Sequence, residues 1–167
     1  HIDHFVALPA YVSRRRMMKM EPPTIYLPEA AVPLVERLLH LVSRLDRGRL
    51  PCQLVPVVPG QEFELSRELV VTTVATQHTV PSLGFIVWER RKKLKPEFAG
   101  LPGEKIRDLR LSGVEVTNEI RMPRVAYLGD TRIDVLDEHP ELLRSEVLIM
   151  EVTFVSPHHR RDKIRKF

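Results

Sequence analysis

The middle of the chain is a series of short runs rich in Val, Thr and aromatic residues, each closed by Pro or Gly. No other feature limits the fold as strongly. The runs cover residues 53–58, 62–65, 69–75 and 83–89, broken by Pro59-Gly60 and Pro81. Branched and aromatic side chains suit a pleated surface, and Pro or Gly ends a strand. Residues 24–27 after Pro22-Pro23, residues 124–128 and residues 147–154 read as further buried strands. One amphipathic helix stands among them, from Glu29 to about Leu45, with Val32, Val35, Leu38, Leu39 and Val42 on one face. Pro28 opens it, and proline is tolerated there. Phe5, Leu8, Tyr11 and Val12 predict a helix over 5–16, and 105–112 a short one. Residues 92–103 read as a loop, and 132–143 as weakly helical, interrupted by Pro140. Strands with interspersed helices predict an α/β layered domain.

At 167 residues, 43% of them hydrophobic, the chain can build one real core. Cys52 is the single cysteine, which excludes an internal disulfide and a Cys-based zinc site and fits a reducing compartment. No apolar stretch reaches about 18 residues, so no membrane span is expected. No signal peptide is visible, and a chain that starts at His1 without Met reads as part of a longer product. The net charge of +4 is unevenly spread. Basic clusters occur at Arg14-Arg15-Arg16 with Lys19, at Arg90-Arg91-Lys92-Lys93 with Lys95, and from Arg160-Arg161 to Lys166. Together they suit a polyanionic partner, although any one run alone is more often a solvated face. Trp88 beside the second cluster could stack a base, but packing into the core is the stronger reading.

The chemistry-bearing residues are His1-Ile2-Asp3-His4, His78 and Asp130 in Gly129-Asp130-Thr131. Imidazole nitrogen and carboxylate oxygen suit Zn²⁺ and similar ions. Asp130 ends an apolar strand, where α/β sheets place their ligands, and His78 lies at a strand-to-loop switch. Taken singly, His78 reads as a hydrogen-bonded structural histidine and Gly129-Asp130-Thr131 as a capping turn. Taken together and in this order, they read as a metal site on converging strand ends.

The order and context of these motifs resemble the metallo-β-lactamase superfamily, and within it the ribonuclease Z branch. His1-Ile2-Asp3-His4 matches the second half of H-x-H-x-D-H and runs on into Ala7-Leu8-Pro9. His78 precedes Pro81-Ser82-Leu83-Gly84, as the next family histidine precedes Pro-Ser-x-Gly. Gly129-Asp130-Thr131 matches Gly-Asp-Thr, and Glu151-Val152-Thr153-Phe154 matches Glu-Ala-Thr-Phe with one change. Leu101-Pro102-Gly103 through Leu109, Leu111 and Gly113 resembles the run before Gly-Asp-Thr. The first histidine of the family motif would precede His1, and the His-Ser-Thr segment and final metal histidine would follow Phe167. Met150 stands where the family often has His.

The resemblance implies a four-layer αββα sandwich, of which 1–167 would be a single domain, truncated at both ends. It implies two zinc ions in the intact protein. His1 and His78 would hold one, Asp3 and His4 the other, and Asp130 would bridge them. It implies a zinc-dependent phosphodiesterase, an endoribonuclease that removes the 3′ trailer from precursor tRNA. Asp3 would also accept a proton, and Glu151 would orient a neighbouring group or serve as a plain strand-end acid. Arg90, Arg91, Lys92, Lys93 and Lys95 would meet RNA phosphates. A homodimer in an intracellular compartment, the cytoplasm or an organelle, completes the expectation. The alternatives are another hydrolase of the same fold, acting on a small phosphodiester or ester, and a non-catalytic RNA- or partner-binding fragment.

Overall fold

The computed structural model describes residues 2–152. His1 and the basic run from Arg160 lie outside the described residues. The architecture is mixed α/β, as expected, with two sheets. In chain order the elements are α1 (Ile2–Phe5), α2 (Leu8–Met17), β1 (Thr24–Pro28), α3 (Val32–Leu45), β2 (Gln53–Val57), β3 (Glu62–Glu64), β4 (Leu69–Ala75), β5 (Leu83–Leu94), α4 (Gly103–Leu111), β6 (Thr117–Tyr127), α5 (Val135–Glu138) and β7 (Val147–Ile149).

Strands β1 and β2 pair in parallel, and α3 covers them. Val35 and Leu39 of α3 are buried against Leu27 of β1, with Ile25, Leu50, Cys52 and Leu54 around them. The helical spacing of these residues is what lets a single face of α3 reach the sheet. The second sheet runs β3-β4-β5-β6-β7, antiparallel throughout except for the parallel β6–β7 pair. On one face Val74, Ile86, Ala126 and Leu128 meet Val135 and Leu142, and Trp88 packs against them. Full burial of each larger aliphatic side chain contributes about 1.5–3 kcal/mol. Tyr26 of β1 stacks on Phe63 of β3, ring centroids 3.9 Å apart, and so joins the two sheets.

Four expectations are corrected. The buried strand expected over 147–154 is short and largely exposed, ending at Ile149, and residues 153–154 lie outside the described residues. The helix expected over 5–16 divides into α1 and α2, with Pro9 in the first turn of α2. Proline lacks an N–H and restricts the residue before it, so a helix restarts there more easily than it continues. The helix expected over 132–143 reduces to α5 and a separate 3₁₀ turn, Leu142–Arg144, on either side of Pro140. The expected strands 83–89 and 124–128 are both longer, because β5 and β6 pair on out to Leu94 and Thr117. Residues 92–94, expected in a loop, belong to that hairpin. Its pairing shifts at Val87/Trp88, where Arg124 is the extra residue beside Pro123. A bulge is where a strand tolerates a proline, which cannot donate to the ladder.

Candidate metal centre

Four elements bring the expected residues to one rim. Asp3 and His4 sit on α1, His78 on the loop between β4 and β5, Asp130 just past β6, and Glu151 just past β7. Leu128 and Glu151 are tied across the strand ends, Leu128 N–H to Ile149 O at 3.0 Å and Glu151 N–H to Gly129 O at 3.2 Å. Gly129 has φ +62°, the left-handed region where a side chain is strained. That turn lifts Asp130 off the strand line toward His4. Gly84 of β5 is needed for a different reason. A Cβ there would stand 2.6 Å from Leu128 Cδ2 and 3.3 Å from the Tyr127 carbonyl.

His4 and His78 approach the same oxygen. His4 Nε2 lies 3.1 Å from Asp130 Oδ2, and His78 Nε2 lies 3.8 Å from it. Asp3 Oδ2 is 3.5 Å from His4 Nε2. Asp130 is therefore the hub, its side chain 19% exposed, with His78 deeper at 10% and Asp3 at the mouth at 72%. A cleft of about 330 Å³ opens over them, lined by Asp3, His4, Asp130 and Glu151 with Tyr127 and Met150.

The donor set fits a metal ion. Asp3, His4 and Asp130 each offer a ligand atom, all within 4.8 Å of one another. Ligands about 2.1 Å from a tetrahedral ion are roughly 3.4 Å from each other, and the separations of 3.1 and 3.5 Å lie on either side of that value. The donors are nitrogen and oxygen only, hard to borderline, as Zn²⁺ and its neighbours accept. A hydrogen bond with the Glu151 carboxyl, then the charges of His4 and His78, hold the Asp130 carboxyl below its ordinary range, against the opposing effect of partial burial. An ionised Asp130 is the form that ligates.

Of the residues expected to meet RNA, Arg90 and Arg91 already serve carboxylates. Arg90 pairs with Glu64 at 2.6 Å and lies 3.8 Å from Glu119, and Arg91 pairs with Glu89. Lys92 and Lys93 are exposed and Lys95 half-buried, at the far end of the β5–β6 hairpin. Ten residues of strand from Leu83 to Lys93 span roughly 33 Å, so this run stands well away from Asp130. Side chains alternate along a strand, so the run is divided between two faces. Trp88 is half-buried, its indole N–H donating to Thr72 Oγ1 at 3.0 Å, which fulfils the core reading. The sequence reading missed Tyr127, which lines the cleft. Period-two alternation could have found it, because Ala126 and Leu128 face the core on either side.

No family model matches the chain. It is 42% identical over 168 residues to tRNase Z TRZ1 of Arabidopsis thaliana, covering 97% of this chain and 60% of that protein. It is 38% identical over 157 residues to the chloroplastic tRNase Z TRZ2 of the same plant, covering 93% of this chain and 44% of that protein. Against the nuclear ribonuclease Z of Triticum aestivum it is 43% identical over 120 residues, 72% of this chain and 68% of that one. The chain thus spans about 60% of the length of TRZ1 and less of TRZ2. The similarity to relatives named ribonuclease Z agrees with the convergence of His4, His78 and Asp130 at the strand ends. The chain belongs to the ribonuclease Z family, a metal-dependent branch of the metallo-β-lactamase superfamily with its αββα fold.

Proposed function

We propose that this protein is a zinc-dependent endoribonuclease that removes the 3′ trailer from precursor tRNA. The observation that carries the reading is the approach of His4 and His78 to one oxygen of Asp130. Asp3 and His4 would hold one ion, and His78 with His1 the other, with Asp130 between them. Bound there, two zinc ions would supply hydroxide near neutral pH and neutralise phosphoryl charge. Asp130 is held ionised by its neighbours and is ready to ligate. Asp3, the most exposed carboxylate of the group, accepts a proton at the mouth of the cleft. Glu151 steadies Asp130 through their shared hydrogen bond. Tyr127, Ile149 and Met150 give the cleft a partly apolar wall.

The substrate would lie along the β5–β6 hairpin, with Lys92, Lys93 and Lys95 neutralising phosphates. Arg90 and Arg91 belong to the same run, with a smaller share because Glu64 and Glu89 hold them. Self-association as a homodimer would cover exposed apolar residues such as Leu41 and Leu45 of α3 and Met17 of α2. Among the described residues no helix is long and apolar enough to cross a membrane. The single cysteine, Cys52, is a free thiol, which suits a reducing intracellular compartment, cytoplasmic or organellar.

The test is metal content. Elemental analysis of the intact protein should find zinc, and Asp130→Ala should remove most of it. Equal, non-zero zinc in both proteins would exclude Asp130 as the hub.

A further inference from the structure

His78 and Asp130 sit on loops at the ends of β4 and β6, and these strands are not neighbours. Strand β5 lies between them, so the loops start about two strand spacings apart, roughly 9.6 Å. No ladder sets the distance between them. The residue before His78 and the residues after Asp130 do. Gln77 N–H donates to Thr131 Oγ1 at 3.0 Å, and Gln77 O accepts from Arg132 N–H at 3.3 Å. Gln77 Nε2 then donates to Glu138 Oε1 of α5 at 2.7 Å. Every polar group of Gln77 but its side-chain oxygen is thus aimed at the segment that follows Asp130. The loop is closed behind it by Thr76 Oγ1 and Ser82 Oγ, 2.6 Å apart.

We propose that Gln77, latched to Glu138, is a positioning residue that sets how far His78 stands from Asp130, and so tunes metal affinity. The inference rests on the reading of His78 and Asp130 as ligands of one metal centre. Gln77 is not among the residues that line the cleft. It acts by holding the loop, as the hydrogen-bonded partners around metal ligands do. Loss of such support typically weakens metal binding by about 10–100-fold. The Gln77–Glu138 bond lies at the surface, so the lower figure applies.

The experiment measures Zn²⁺ affinity of the intact apoprotein by competition with a chromophoric chelator, without RNA. Three variants are compared with wild type. Gln77→Glu places a carboxylate against Glu138 and should weaken zinc binding by about 10-fold. Simple attraction between zinc and an added negative charge would tighten binding instead, so a loss reports geometry. Glu138→Gln keeps an acceptor for Gln77 and should bind nearly as wild type does. The double variant restores a donor opposite an acceptor at wild-type net charge, and affinity should return. Recovery also excludes misfolding as the cause of the loss. Unchanged affinity in Gln77→Glu, or no recovery in the double variant, would overturn the latch while leaving the metal site intact. A wild-type protein that binds no zinc would remove the metal reading, and the latch with it.

Discussion

At the scale of single residues, the candidate site depends on two glycines as much as on its His and Asp side chains. Gly129 turns the chain so that Asp130 leaves the strand, and Gly84 lets Leu128 settle against β5. Leu128 is buried and stands two residues before Asp130. Gly84→Ala would force a methyl against Leu128 Cδ2, which overpacks the core at a cost of about 1–3 kcal/mol. The displacement passes directly to Gly129 and Asp130. A lower urea midpoint together with weaker zinc uptake is the expected outcome, and an unchanged midpoint would show that Leu128 has room to move. The convergence of His4, His78 and Asp130 was legible in the sequence, because His and Asp at turn-bounded strand ends have few other uses in combination. Gln77 was not legible. Its role depends on Glu138, sixty-one positions away, and a Gln beside a loop histidine has no local signature.

At the scale of elements, the β5–β6 hairpin is the part the sequence described least well. Its outer half is charged and lacks the apolar alternation that announces a strand, so 92–94 read as loop. Ion pairs serve there instead of burial. Glu62 and Glu119 hold Arg121 at 2.5 and 2.7 Å, Glu64 holds Arg90, and Glu89 and Glu146 hold Arg124. The Arg90 hydrogen bond and charge keep the Glu64 carboxyl below its ordinary range. A depressed carboxylate stabilises the fold above its unfolded pKa, about 4.3, and that contribution is lost as pH falls through the folded value. Glu64→Gln should therefore lower the urea midpoint slightly at pH 7, and the difference should vanish in acid and shrink in high salt. A difference that persisted in acid would mean the pairing is not the cause. The same hairpin carries the proposed RNA-binding lysines. Replacing Lys92, Lys93 and Lys95 with Ala should weaken precursor-tRNA binding and reduce the salt slope by about one for each phosphate no longer neutralised. Cleavage of a small chromogenic phosphodiester should hold steady. Equal loss of both activities would make the run structural.

At the scale of the whole molecule, the α/β class was legible because strand length, proline punctuation and the α3 stripe all agreed. The division into a β1–β2 pair and a five-stranded sheet was not, since nothing local says that β2 and β3, five residues apart, belong to different sheets. What the five-stranded sheet achieves is a rim where loops from β4, β6 and β7 meet α1, with Asp130 at the centre. Membership of the ribonuclease Z family makes that rim the place to look for RNA cleavage. The decisive measurement is cleavage of a 3′-extended precursor tRNA by the intact protein, before and after chelation. A single cut that releases the trailer, lost on chelation, restored by zinc and absent in Asp130→Ala, is the expected result. An uncut trailer in the presence of zinc, or cleavage indifferent to chelation, would contradict the assignment.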